Sequence, residues 1–231
     1  MTINIKGKLM NLSVPKIMGI LNVTPDSFYD GGKYNSEKKI LNQVEKMIIS
    51  GADIIDIGGY SSRPGADEIS IKDELSRVIP IIQLISKKFP KIVISIDTFR
   101  SQVAKEAIDS GAHIINDISG GNLDTDMFNI VSKLNVPYIL MHMRGTPVNM
   151  MNRTDYNNIK NEVNKYFSKR ISNAKSAGIN DIIIDPGFGF SKTREQNYKL
   201  LNNLEFLKDF GAPIVVGVSR KSMIYKTLDT T

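Results

Sequence analysis

SGADIIDIG, residues 50–58, is a glycine, a short gap, a run rich in isoleucine and then a polar end. The pattern returns as SGAHIINDI (110–118), AGINDIIIDPG (177–187) and FGAPIVVGVS (210–219). Glycine at a helix end takes the left-handed conformation without steric penalty. Four to six apolar residues without alternation are what a parallel strand buried on both faces requires. Each copy is therefore read as a helix end followed by a buried strand.

The stretches before these copies carry the matching helical period. Ile40, Leu41, Val44, Met47 and Ile48 share one face ahead of Gly51. Leu75, Val78, Ile79, Ile82 and Ile85 do the same, with Pro80 expected to start or kink a segment. Ile159, Val163, Phe167, Ile171 and Ala174 form a stripe that stops before Gly178, and Leu200, Leu204 and Leu207 form a shorter one. Ile17–Leu21, Ile92–Ile96 and Tyr138–Met141 complete a set of seven expected strands, six of them preceded by a helix. Strict alternation means an α/β fold with a parallel sheet and right-handed crossovers. The candidates are a (β/α)8 TIM barrel and an open doubly wound sheet. The latter is weakened in its dinucleotide-binding form, since no G-x-G-x-x-G follows the first strand. Residues 3–13, INIKGKLMNLS, read as a short N-terminal hairpin around Lys6-Gly7-Lys8 that plugs one barrel end.

No linker or low-complexity tract divides the chain, so residues 1–231 are expected to form a single domain. A barrel needs eight strands, yet only 231 − 219 = 12 residues follow Ser219. The expectation is a barrel truncated after its seventh strand, its eighth strand and helix missing, as a fragment or a short variant.

Composition removes several function classes. There is no cysteine, which excludes disulfides and cysteine-based metal or redox chemistry and fits a cytoplasmic location. The first twenty residues lack the layout of a signal peptide, and no apolar run approaches a membrane span. The net charge of +6 is spread over helical segments, with only pairs such as Lys38-Lys39, Lys87-Lys88 and Arg220-Lys221. A nucleic-acid face would cluster that charge and interleave it with aromatics, so neither nucleic acid nor membrane is an expected partner. A few cations kept for an anionic small molecule suit the pattern better.

Polar residues end every expected strand: Asn22, Asp56, Asp97, Asn116 with Asp117, His142, Asp185, and Ser219-Arg220-Lys221. Taken singly, Asp56, Asp97 and Asp117 read as caps or salt-bridge partners, and His142 as a core hydrogen-bonding group. No second histidine sits at ligand spacing, which disfavours zinc. Seven polar ends on one face of a barrel would converge on a pocket, because barrel active sites lie there. The loop from about Val23 to Asn35 is longer than the usual 2–6 residues and reads as a lid over it.

NVTPDSF (22–28), GGYSSRPGA (58–66), DTFR (97–100), INDISGG (115–121), MHMRGTP (141–147), DPGFGF (185–190) and GVSRKS (217–222) together resemble the dihydropteroate synthases in order and spacing. The resemblance implies a pterin-binding TIM barrel of folate biosynthesis. Its transferase reaction joins 6-hydroxymethyl-7,8-dihydropterin diphosphate to p-aminobenzoate, giving 7,8-dihydropteroate and pyrophosphate by an SN1-like route that sulfonamides block. It implies that Asp97, Asn116 and Asp185 bind the pterin, that Lys221 balances those acids, and that Arg63 offers its fork to phosphate. Asn22 would hold Mg²⁺ at the pyrophosphate. Ser62, Pro64, Phe190 and Ser222, with Arg220, would flank the substrates. Phe28 and Asp30 would lie in the lid, which closes to keep water from a reactive cation. A homodimer is implied for a full-length chain.

Two departures from the family pattern stand out. Ser62 replaces the usual threonine, and the family's terminal Arg-Val-His-Asp segment, whose Arg and His bind pyrophosphate, is absent from these residues. The expectation is that the parent protein is the synthase while these 231 residues alone are weakly active or inactive, and the alternatives are a non-catalytic pterin-binding protein and a pterin-dependent methyltransferase.

Overall fold

The structure is a computed structural model that describes residues 1–23, 32–60 and 68–230. The chain opens with an antiparallel hairpin of β1 (Thr2–Ile5) and β2 (Lys8–Asn11). It turns where Lys6 and Gly7 both have positive φ, as a two-residue hairpin turn requires. Six parallel strands follow: β3 (Met18–Asn22), β4 (Ile54–Gly58), β5 (Val93–Asp97), β6 (Ile114–Asp117), β7 (Tyr138–Met141) and β8 (Ile182–Asp185). Between them run α1 (Gly32–Ile49), α2 (Ile71–Lys88), α3 (Ser101–Asp109), α4 (Met127–Leu134) and α5 (Ile159–Ser176). After β8 come α6 (Arg194–Asn202), a 3-10 helix (Leu204–Phe210) and the short α7 (Ser222–Tyr225).

Sheet order separates the two candidate folds. The order is β3-β4-β5-β6-β7-β8, each strand beside its predecessor, with no reversal. A doubly wound sheet must reverse, so the chain is singly wound in the manner of a barrel wall.

Parity along the strands makes two layers. Ile55, Ile57, Ile94, Ile96, Ile115, Tyr138, Leu140, Ile182 and Ile184 face the helices in the main core with Val44, Val78, Ile82, Val103, Val163 and Phe167. The alternate residues Ile54, Ile114, Ile139 and Ile183 face inward and pack on Ile3 and Ile5 of the hairpin. The hairpin thus lies under the inner face at the N-terminal strand ends, as its sequence suggested. One and two steps of two further along, the inner face turns polar with Asp56, Ser95, Asn116 and Asp185, then Asn22 and Asp97.

Three local differences from the sequence reading have physical reasons. Pro80 lies inside the continuous helix α2 instead of starting one. Burial of Val78, Ile81, Ile82 and Ile85 offsets its missing hydrogen bond, and Ser70 caps the true start by accepting from Asp73 N at 3.0 Å. Helix α1 begins at Gly32, earlier than its weak helix formers Gly-Lys-Tyr-Asn suggested. The run expected as a seventh strand, IVVGVS, joins the sheet by one parallel bridge, Ile184 to Ile214. Among the described residues it has a neighbour on one side alone, so half of its ladder bonds are unmade. No described helix is long and apolar enough to cross a membrane.

Candidate active site

Register assembles the polar ends. Asn22 pairs with Gly58, Gly58 with Asp97, and Asp97 with Asn116. Gly58 leaves a side-chain-sized gap in that row. A Cβ there would stand 3.5 Å from both Asn22 Oδ1 and Asp97 Oδ2, so both side chains lean over the glycine. One step deeper, Asp56 accepts a 2.9 Å hydrogen bond from Asn116 Nδ2. A carboxylate only accepts, so this bond fixes which end of the Asn116 amide points which way. Asp56 Oδ1 and Ser95 Oγ, on paired residues, are both buried without a hydrogen bond.

Asp185 closes the ring from β8. Its Oδ1 accepts from Gly187 N at 2.7 Å. Lys221 comes from the segment before α7, folds its stem over Gly189 and sets Nζ 4.5 Å from the Phe190 ring centre. Lys221 acts on both Asp97 and Asp185, lowering the pKa of each. Burial holds the Lys221 ammonium below the ordinary lysine range, and the two acids oppose that.

The carboxyls are held out of their usual range. Burial raises Asp97 well above it, with Asp56, Glu74 and Asp117 adding like charge and Lys221 opposing. Burial raises Asp56 as well, and lifts Asp185 to about 6. A carboxyl with a raised folded pKa stabilises the fold fully below its unfolded value and loses that contribution as pH rises through the folded one. For Asp185 the window runs from 3.8 to about 6. Asp185→Asn is therefore expected to remove about 1–3 kcal/mol of stability loss across that window, the range allowing for the solvent that Asp185 sees. Thermal melts of both proteins between pH 4 and roughly 7 check it, and parallel curves would contradict it.

Other expected residues go elsewhere. Asp117 faces the helices and is bound by Ser119 N at 2.7 Å, Gly121 N at 2.8 Å and the Tyr138 hydroxyl at 2.6 Å, a structural knot outside the pocket. His142 is buried beside Tyr166 and Phe167, and burial keeps it neutral. Arg220, at positive φ, and Ser222 flank Lys221 with exposed side chains. Phe28, Asp30, Ser62, Arg63 and Pro64 lie outside the described residues.

Three roles lie beyond the sequence reading, although Asp56 itself is expected there as a polar strand end. Asp56 orients Asn116, as above. Glu74, almost wholly buried in α2, accepts from Thr98 Oγ1 and Arg100 Nη1, each at 2.7 Å, while Arg100 Nη2 reaches the Ile69 carbonyl. That network ties the loop after β5 to the start of α2. Lys192 is buried in the loop after β8.

The chain as a whole is similar to known proteins. A family model for pterin binding enzymes matches residues 18–231. The dihydropteroate synthase of Synechocystis sp. is 48% identical over 215 residues, covering 92% of this chain and 74% of the relative. This chain belongs to the dihydropteroate synthases. A crystal structure of the Yersinia pestis dihydropteroate synthase with a sulfonamide drug superposes with a TM-score of 0.91 at 41% identity, covering 100% of this chain and 84% of that one. A Xanthomonas albilineans dihydropteroate synthase with 4-aminobenzoic acid superposes equally well, TM-score 0.91, at 36% identity, covering 100% and 82%. The family fold is the (β/α)8 barrel whose wall the six strands form.

Proposed function

We propose that this chain is a transferase that condenses 6-hydroxymethyl-7,8-dihydropterin diphosphate with p-aminobenzoate, forming 7,8-dihydropteroate and releasing pyrophosphate. The observation that carries this reading is the inward cluster of Asp97, Asn116 and Asp185 with Lys221 acting on both acids. A pterin edge alternates ring N–H, amino and carbonyl groups. Carboxylates accept from the first two, and an amide both donates and accepts. Asn116 has one N–H committed to Asp56, which leaves its Oδ1 and its other N–H for the ligand.

The same acids serve the chemistry. As the bond between the exocyclic carbon and the diphosphate oxygen breaks, its electron pair leaves with the diphosphate and positive charge grows on the pterin. Fixed carboxylates beside it favour that charge. The amine of p-aminobenzoate then forms the new C–N bond and sheds a proton. Lys221 over Phe190 offers a cation and an aromatic wall to the aminobenzoate, the place where a sulfonamide would compete. The parts given to Arg63, Ser62, Pro64, Arg220 and Ser222, and to Phe28 and Asp30 in the lid, rest on the family resemblance.

Magnesium fits the residues present in one limited way. Asn22 presents an exposed amide oxygen at the end of β3, and the described residues hold no cluster of three or more acidic or histidine ligands. One neutral oxygen suits a hard ion that keeps most of its waters and takes the rest of its shell from phosphate. Bound there, Mg²⁺ would neutralise charge on the leaving diphosphate. The same reading includes a cytoplasmic location and, for a full-length chain, a homodimer, whose assembly sedimentation velocity checks.

The deciding assay mixes the chain with the pterin diphosphate and p-aminobenzoate, then follows pyrophosphate and dihydropteroate together. Equal release of both is the expected result. Tight pterin binding with no pyrophosphate would make the chain a pterin-binding protein instead.

A further inference from the structure

One buried cation has no part in the reading above. Lys192 is 2% exposed, and its ammonium makes three hydrogen bonds, all to backbone carbonyls: Gly187 at 2.9 Å, Phe190 at 3.0 Å and His142 at 3.4 Å. None of the ion pairs among the described residues includes it. Taking an ammonium out of water without a carboxylate partner is expensive, and an apolar side chain would fill the same space more cheaply.

What the ammonium gathers is the β8 loop. Gly187, whose carbonyl it binds, also gives its N–H to Asp185 Oδ1 at 2.7 Å. Phe190, whose carbonyl it binds, carries the ring under Lys221. The third carbonyl belongs to the loop after β7, against which Gly187 is pressed. Three hydrogen bonds from one cation thus lock the β8 loop, which carries the acid and the aromatic wall, to the loop after β7.

We propose that Lys192 is a positioning residue of the pterin site, holding Asp185 and Phe190 in place through the carbonyls of Gly187, Phe190 and His142. The proposal rests on the reading of Asp185 as a pterin ligand. Charge adds to position. Asp185 lies in the field of Lys192 and Lys221, both of which favour its ionised form. The groups that act on Lys192 are Asp185 from β8, Lys221 from the segment before α7 and Arg144 from the loop after β7. Burial pulls Lys192 itself down to about 7, where a small change of pH removes its charge.

Two variants separate donors from charge. Lys192→Gln keeps N–H donors and loses the charge, and Lys192→Met loses both. Each is expected to raise the KM for the pterin diphosphate about tenfold or more, the methionine variant the most. Both should move the acid limb of kcat/KM to higher pH, because Asp185 then ionises later. The KM for p-aminobenzoate should change less. Wild-type pterin KM and pH profile in both variants, with only a lower melting temperature, would overturn the proposal. Should neither variant fold, Lys192→Arg keeps charge and donors but changes their geometry, and it decides: a raised KM for the pterin diphosphate with little change in the KM for p-aminobenzoate is expected, and wild-type values for both would overturn the proposal. Asp185→Asn, measured alongside, keeps the two ideas apart. If that variant binds pterin normally, the functional reading fails whatever Lys192 does.

Discussion

Asp97→Asn is expected to lower kcat/KM about a thousandfold while raising the melting temperature. The two effects have one source. Asp97 faces inward beside Gly58 and Asn116, and its carboxyl is raised well above the usual range by burial and by the charges of Asp56, Glu74 and Asp117. A carboxylate can accept two parallel N–H bonds from the amino and ring nitrogens of a pterin. Asparagine turns one of those acceptors into a donor facing a donor. Leaving one charged hydrogen-bonding group unmatched in such a site removes about 2–5 kcal/mol of binding, which corresponds to the stated loss. In the empty protein the same change removes like charge from a crowded acid cluster, so the fold gains what the site loses. Pyrophosphate-release kinetics, calorimetry with the pterin diphosphate and thermal melts read the three parts. Normal pterin affinity in the variant would remove Asp97 from the site.

Gly187→Ala should be the most damaging single methyl among the described glycines. Gly187 has φ of 67°, a conformation that costs an alanine about 1–2 kcal/mol. A Cβ there would also overlap the carbonyl oxygen of His142, and the obstacle is backbone rather than a side chain that could swing aside. Overpacking of this kind adds about 1–3 kcal/mol. The loops after β7 and β8 must then part, which pulls Gly187 N from Asp185 and the His142 carbonyl from Lys192. Expected are a loss of about 2–5 kcal/mol in denaturant unfolding and the disappearance of turnover. Gly211→Ala is the control. Gly211 has φ of 63° with no atom within 4 Å of its Cβ position, so it carries the conformational penalty alone. Equal losses in the two variants would show that the contact with His142 contributes nothing.

The alternation of helix and strand was legible because buried parallel strands are unbroken apolar runs and helices have a different period. The same property hides the phase of each strand. In IINDI nothing tells whether Asn116 or Asp117 faces the barrel interior, since both neighbours of each are isoleucine or polar. Register resolves it: Asn116 meets Asp97 inside, and Asp117 meets the Tyr138 hydroxyl outside. His142 raised the same ambiguity one residue past the end of β7. Lys192 and Glu74 were illegible for another reason. Their partners are carbonyls, a hydroxyl and a guanidinium brought from 2 to 50 residues away, which no local pattern announces. IVVGVS had the composition of a strand, but a strand also needs neighbours, and among the described residues only Ile184 supplies one.

The order in which strands pair has a meaning for a chain growing on the ribosome. Synthesis delivers each strand next to the one it will join, so Asp56, Asp97 and Asp185 can come together as the wall grows. Lys221, which both Asp97 and Asp185 rely on, emerges after all of them. Nascent protein therefore holds Asp97 beside Asp56 without the Lys221 ammonium until the segment that carries it has been made and docks, and that docking brings the opposing positive charge.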